Sequence, residues 1–452
     1  MRLVDLNTVG GIGANSIFVE LGPFRFVIDA GMHPKLSGNR ALPDFRQLKD
    51  LTLDFVLLTH CHLDHLGGLP VLMRYQPDTC VFSSTASKEI APRMLLNSCA
   101  VMKRQKFESG MSELPLYSRK EVRNLNNRIM PVPYNRPYVF YAHGDKIVFN
   151  FQPAGHVVGA SGVIISYKNR KILITGDVLF APLRTLSGAQ FPRGNIDTLI
   201  METTRGMTER TSSFDRESQI DALISTLDKG LGKGGSVLIP VFAFGRMQEI
   251  LSLISEARSK GKLRHSPIYA SGLGIDLAKM FDSISRKTGL VNFRKRLFKE
   301  LQVQPLPRNL ETGKLPTPNS LYVLSSGMLV ENTPSYKIAA SLLDNGKNTI
   351  CWVGYCDPDT PGGRLLAAKQ GDLFPFDSLN FECRIKAQIE KFDLSGHADR
   401  EELVQFALDI NPRVIVLTHG EETARNWFRN SFKELIPRTR IVDPEPLESY
   451  VV

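Results

Sequence analysis

The sequence predicts an α/β protein in which one domain is inserted into another. Three observations carry this expectation. Short apolar runs recur through the first part of the chain, and each ends on a polar residue of metal-binding type. From about residue 205 the pattern changes to alternating strands and helices, the βαβ rhythm of a parallel sheet with its own core. Near the end the first pattern returns, when the apolar run Arg413 to Leu417 delivers Thr418-His419-Gly420. The expected segments are 1–204 for the first part of the outer domain, 205–377 for the insert and 378–452 for the second part.

In order along the chain, Asn15 to Glu20 and Phe24 to Asp29 flank Gly22-Pro23 and read as a hairpin ending at Asp29-Ala30-Gly31. Gly10-Gly11-Ile12-Gly13 precedes a strand pattern instead of a helix, which excludes a dinucleotide-binding loop. The apolar run Asp54-Phe55-Val56-Leu57-Leu58 reads as a buried strand, and Thr59-His60-Cys61-His62-Leu63-Asp64-His65 follows it directly. His60 and His62 share one side of extended chain, while Asp64 and His65 fall where the chain begins to coil. Charged and imidazole groups seldom cluster after a strand without a partner, so this run predicts a metal site. Imidazole with carboxylate suits zinc in a site left open for catalysis.

Residues 86–130 read as largely helical and basic. Lys146 to Gln152 is a strand leading into Pro153-Ala154-Gly155-His156, and strands at Val163–Tyr167 and Lys171–Thr175 follow, the latter ending at Gly176-Asp177. Glu202 closes Asp197 to Met201 in the same way. Polar residues repeated at strand ends predict several strands opening onto one site. In the insert, Ser236–Pro240, Pro267–Ala270, Leu321–Leu324 and Thr349–Gly354 read as strands. Arg246–Ser259 and Gly274–Arg286 have helical periodicity. Gly230-Leu231-Gly232-Lys233-Gly234-Gly235 lacks P-loop spacing and reads as a connector.

The composition, 42% hydrophobic and 23% charged over 452 residues, is that of a globular protein with room for two or three domains. Six scattered cysteines with no C-x-x-C pair argue against a zinc ribbon or disulfide framework and fit a reducing cytoplasm. Neither a signal peptide nor a run of transmembrane length is present, so no membrane partner is expected. The net charge of +10 points to a polyanionic partner. Between Arg258 and Lys299 eleven Lys and Arg face only Asp276 and Asp282; this stretch is either a solvated helix face or a phosphate-binding wall.

Taken together, Asp29, His60-x-His62-x-Asp64-His65, His156 and Asp177 resemble the four successive motifs of the metallo-β-lactamase superfamily. Glu202 in Met201-Glu202-Thr203-Thr204, His397 in Ser395-Gly396-His397-Ala398-Asp399, and His419 resemble the three further motifs of its β-CASP nuclease branch. Ser325-Ser326-Gly327-Met328-Leu329 and Asp357 to Arg364 are similar to stretches of the β-CASP insert. The resemblance spans essentially the whole chain, and it implies an αββα sandwich with the β-CASP domain inserted as a cap. It implies two zinc ions, with manganese as the alternative: His60, His62 and His156 hold one, Asp64, His65 and His419 the other, and Asp177 bridges. Asp29 is implied to accept a hydrogen bond from a ligand histidine and fix its tautomer.

The implied reaction is RNA phosphodiester hydrolysis by hydroxide attack at two metals, with His397 as general acid, Glu202 keeping it protonated, and Asp64 beside them. His419 favours RNA, because DNA-processing members typically carry valine at that motif. Single-stranded RNA is the expected partner, with Ser326 and Arg364 as expected phosphate contacts. Cleavage is expected to be endonucleolytic; a 5′-exoribonuclease of RNase J type and a non-catalytic RNA-binding subunit are the alternatives. A homodimer is left open. Arg205 departs from the tyrosine of many relatives, and the short form is similar to minimal prokaryotic β-CASP ribonucleases. His33, His143 and His265 read as structural.

Overall fold

The computed structural model describes residues 1–210, 215–307 and 309–452, which divide into two compact units. Unit 1 comprises Met1–Pro182, Gly188–Arg210 and His397–Val452; unit 2 comprises Leu183–Ser187 and Thr211–Gly396.

Unit 1 contains two seven-stranded sheets. The first runs Ser449–Val451, Arg2–Asp5, Ile17–Leu21, Phe24–Ile28, Phe55–Leu58, Cys80–Ser84, Ile129–Val132 in hydrogen-bonded order. The second runs Arg440–Val442, Val414–Thr418, Thr198–Glu202, Arg170–Ile174, Ser161–Tyr167, Asp145–Pro153, Tyr138–Ala142. Their inner faces meet in one cluster that includes Phe24, Phe26, Phe55, Phe149, Ile165 and Ile172. On the far face of the second sheet, Leu173, Leu199 and Leu417 pack against Leu403 and Phe406 of helix Arg400–Ile410 and Phe428 and Phe432 of helix Glu422–Leu435. Strands buried on both faces read as continuous apolar runs, which is why 198–201 and 414–417 lack polar alternation. This is the αββα sandwich.

Unit 2 is built on a six-stranded sheet in the order Val303–Pro305, Ile268–Ala270, Leu321–Leu324, Val237–Pro240, Thr349–Trp352, Gln388–Lys391, and every pair is parallel. Val237, Ile239, Leu321 and Val323 face one core with helices Arg216–Gly232 and Arg246–Ser259; Leu238, Tyr322 and Trp352 face the other. The expected βαβ rhythm is therefore a parallel sheet covered on both sides. Within this unit the short segment Leu183–Ser187 is fixed by buried Glu249, whose carboxylate accepts from Arg184 N at 2.8 Å, Thr185 N at 3.0 Å and Thr185 Oγ1 at 2.8 Å.

Three sequence expectations change. The chain returns to unit 1 at His397 and not at 378, because Gln388–Lys391 hydrogen-bonds to Thr349–Trp352 in the unit 2 sheet. The glycine-rich connector at 230–235 starts inside a helix, since Arg216–Gly232 runs through Gly230 and Gly232. Residues 86–130 hold helices Thr85–Ser109 and Arg119–Asn126 but finish in strand Ile129–Val132. All six cysteines are free thiols. Among the described residues no helix is long and apolar enough to cross a membrane.

Phe55 is fully buried, its ring centroid 4.9 Å from Phe26, 5.0 Å from Phe140 and 5.4 Å from Phe149. Phe55→Ala is expected to cost about 3–5 kcal/mol, read by denaturant unfolding. A cost below about 1 kcal/mol would contradict this packing.

Candidate metal centre

In unit 1 the parallel parts of both sheets deliver polar residues from the C-terminal ends of their strands. Asp29 follows Phe24–Ile28, and Thr59-His60 follows its parallel neighbour Phe55–Leu58. In the second sheet, Asp177 follows Arg170–Ile174, Glu202 ends Thr198–Glu202, and His419 follows Val414–Thr418; these three strands are parallel neighbours. His62 stands at the N-cap position of a single helical turn, Leu63–Leu66, which carries Asp64 and His65. The backbone fit there is close. Ala30 N donates to His65 O at 2.8 Å, and a Cβ on Gly31 would stand 1.7 Å from the Asp64 carbonyl oxygen, so no side chain fits at that position.

The donor atoms fall into three groups. His60, His62, His156 and Asp177 form one; His60 Nε2 lies 3.2 Å from His62 Nδ1, and His156 Nε2 lies 3.0 Å from the same atom. Asp64, His65 and His419 form the second, with His419 Nε2 at 3.3 Å from both His65 Nε2 and Asp64 Oδ2. Asp177 spans the two: Oδ2 is 3.6 Å from His60 Nε2 and from His156 Nε2, and Oδ1 is 3.3 Å from His65 Nε2. Asp177, Glu202 and His397 form the third group. His397 Nδ1 is 2.9 Å from Glu202 Oε2, and its Nε2 is 4.0 Å from Asp177 Oδ2. Glu202 is itself held, accepting from Val178 N at 2.6 Å.

The electrostatics suit a cation. Asp177 is 2% exposed, and its Oδ1 makes no hydrogen bond. Burial opposes its ionisation, yet His419, His65 and His60 hold its carboxyl well below the usual range. Burial also opposes ionisation of Asp64, which a hydrogen bond from His419 keeps low. Burial pushes the His60 imidazole down, reinforced by His65, while Asp177 and Asp29 outweigh burial at His65 and raise it. Ring nitrogens about 3 Å apart cannot all donate to one another; bare lone pairs and carboxylates converging on common points fit divalent metal, and the imidazole and carboxylate donors fit zinc.

Asp29 sits at φ 59°, fully buried, with Oδ2 at 2.7 Å from His65 Nδ1 and Oδ1 accepting from Thr59 N at 2.7 Å. Asn15 and Thr59 join this network and escaped the sequence reading. Asn15 Nδ2 is 3.2 Å from His65 Nδ1, and Thr59 Oγ1 donates to Asp29 Oδ2 at 2.7 Å. Adjacency of Thr59 to a ligand at a strand end was the available signal; Asn15 had none. Cys61 is buried, with its thiol pushed up to about 12 by burial, and stands apart from the donors. His143 pairs with Asp54 at 2.8 Å, and His33 Nδ1 accepts from Lys35 N at 3.1 Å.

Ser326 and Arg364 lie in unit 2. Ser326 Oγ accepts from Val330 N at 2.9 Å, and half-exposed Arg364 stands 3.5 Å from Asp377. In the basic stretch, Lys262 pairs with Asp221, Arg264 with Asp228, Lys279 with Asp276, Arg286 with Asp282 and Arg296 with Glu300. Acidic residues outside the 258–299 window supply several of these partners, so the excess of cations is smaller than the linear count.

Fold and donor set together define a metal-dependent hydrolase of the metallo-β-lactamase type. Comparison with known families narrows this. The metallo-beta-lactamase superfamily model matches residues 9–79, the Beta-Casp domain model 247–365, and the Zn-dependent metallo-hydrolase RNA specificity domain model 382–440. The chain belongs to the β-CASP branch of the metallo-β-lactamase superfamily, a family of metal-dependent nucleases. It is 25% identical over 93% of its length to the Integrator complex subunit 11 homolog of Dictyostelium discoideum, of which it spans 57%. It is 29% identical over 91% of its length to an RNase J-like protein of Methanocaldococcus jannaschii, covering 90% of that protein. In fold it is similar to a protein of unknown function from Enterococcus faecalis V583, with TM-score 0.54, 15% identity and 100% and 99% of the two chains covered.

Burial opposes charge on His397, but Glu202 beside it outweighs burial and raises the imidazole above its ordinary 6.5. A histidine raised on folding contributes stability that is full below its unfolded pKa and is lost as pH rises through the folded one. NMR titration of His397 is expected to give a pKa above 6.5, and Glu202→Gln is expected to lower it. An unchanged value in that variant would contradict the pairing.

Proposed function

We propose that this chain is a zinc-dependent ribonuclease that cuts RNA internally. The observation that carries the reading is the His397–Glu202 pair, which shares a carboxylate neighbour, Asp177, with the two ligand groups. His60, His62 and His156 would hold one zinc and Asp64, His65 and His419 the second, with Asp177 between them. Zinc supplies Lewis acidity and makes water a competent nucleophile near neutral pH. The protein's own part is orientation and proton transfer. Asp29 and Thr59 hold ligand rings, and Asp64, the most exposed ligand carboxylate at 22%, lies at the open side of the donor set. His397 delivers the Nε2 proton to the departing sugar oxygen, while Glu202 stays on Nδ1 and balances the imidazolium charge.

RNA as the substrate is supported by His419 at the third β-CASP motif and by the match of 382–440 to an RNA specificity domain. We place single-stranded RNA in this role, with phosphate contacts from Ser326 and Arg364 of unit 2.

His397→Ala is expected to retain zinc and lose about 10²–10⁴ of the cleavage rate. The assay uses circular RNA with and without chelator, beside 5′-monophosphorylated and 5′-triphosphorylated linear RNA. Opening of the circle only without chelator supports internal cutting. Loss of zinc in His397→Ala overturns the acid assignment; an intact circle beside degraded 5′-monophosphorylated RNA overturns the endonucleolytic one.

A further inference from the structure

Each of the two ligand groups holds a histidine whose Nδ1 lies within about 3.2 Å of a threonine hydroxyl. We propose that Thr59 and Thr204 are positioning residues that fix His60 and His419 as Nδ1–H tautomers, leaving each Nε2 lone pair for metal. The inference rests on the two-metal reading above.

A threonine hydroxyl has one proton to give and lone pairs with which to accept. Where its proton has a committed acceptor, a neighbouring imidazole nitrogen bonded to the same oxygen must be the N–H partner. Thr59 Oγ1 is 2.7 Å from Asp29 Oδ2, an acceptor-only carboxylate, so the hydroxyl proton goes there. Its 3.2 Å contact with His60 Nδ1 then takes the ring proton. Asp29 cannot swing away, because Oδ1 accepts from Thr59 N at 2.7 Å.

Thr204 repeats the arrangement in the other group. Its Oγ1 donates to the His419 carbonyl oxygen at 3.2 Å and meets His419 Nδ1 at 3.0 Å. That carbonyl is fixed: it also accepts from Thr203 N at 3.3 Å, His419 sits at φ 49°, and Thr203 Oγ1 donates to Thr418 O at 2.9 Å. Asp177 Oδ1 is 3.3 Å from the same Nδ1 but makes no hydrogen bond, so the hydroxyl is the ring's partner. His419 Nε2 is left facing His65 Nε2 and Asp64 Oδ2, both at 3.3 Å. His60 Nε2 likewise faces His62 Nδ1 and Asp177 Oδ2. His65 differs, since its Nδ1 meets the carboxylate of Asp29 at 2.7 Å, well inside its 3.5 Å contact with the Thr59 hydroxyl. A neutral hydroxyl sets the ring's orientation without adding negative charge to a cluster that already holds Asp29, Asp64 and Asp177.

The test is zinc titration of the full chain with metal analysis after dialysis, for wild type, Thr204→Val and Thr204→Ser. Valine keeps the shape and removes the oxygen; serine restores it. Partners of this kind are worth about 10–100-fold in metal affinity. Thr204→Val is expected to weaken one of the two zinc equivalents by that factor and leave the other, and Thr204→Ser to bind both as wild type does. Two wild-type affinities in Thr204→Val, or a serine variant as weak as valine, overturn the inference alone. A wild type that takes up no zinc overturns the two-metal reading, and the inference with it. Independently of how the variants fold, long-range ¹H–¹⁵N spectra of the zinc-loaded wild type are expected to show Nδ1–H on His60 and His419. Metal on either Nδ1 contradicts the proposal.

Discussion

The donor groups of unit 1 are arranged around one buried carboxylate. Asp177 sits at 2% exposure with an oxygen that no hydrogen bond satisfies, surrounded by the rings of His60, His65, His156, His397 and His419. An unpaired charge in such a place is strongly unfavourable, and leaving a buried charge uncompensated costs several kcal/mol. The surroundings show how the fold accommodates it. Three parallel strands of one sheet bring Asp177, Glu202 and His419 to the same edge. The other sheet brings Asp29 and the His60 to His65 turn to meet them. The apolar content of these strands makes the arrangement rigid, because both faces of the second sheet are packed.

Two kinds of histidine result. Three of the five in the first two groups are tied at their far side to fixed partners: Asp29 for His65, Thr59 for His60, Thr204 for His419. His397 is tied to Glu202 instead and reaches Asp177 only at 4.0 Å. A carboxylate at Nδ1 favours the imidazolium at His65 and His397 alike, whereas the threonine hydroxyls at His60 and His419 add no negative charge.

Much of this was legible in the sequence, for physical reasons. The run from His60 to His65 is conspicuous because polar groups directly after a buried strand need a partner, and the strand ends at Asp177, Glu202 and His419 repeat that signal. Strands buried on both faces announce themselves as apolar runs, so Leu321–Leu324 coincides with an observed strand, and helical periodicity marks the observed helix Arg246–Ser259. Edge elements were harder. Tyr138–Ala142 is an outer strand with exposed Val139 and Tyr141, lacking the period of a packed face. Gln388–Lys391 is mostly polar, and its backbone pairing alone carries the insert on to Gly396. Charge balance was the least legible, because Asp221 and Asp228 lie far in sequence from the lysine and arginine they meet. Thr204 hid for another reason: the histidine it contacts lies 215 residues away.

Whether two metal ions share Asp177, as proposed, is read from anomalous scattering at the zinc edge in crystals of the zinc-loaded protein. Two peaks about 3.5–4 Å apart on either side of the Asp177 carboxylate are expected. One would be bounded by His60, His62 and His156, the other by Asp64, His65 and His419, with none at His397. A single peak, or one seated between Glu202 and His397, would contradict it.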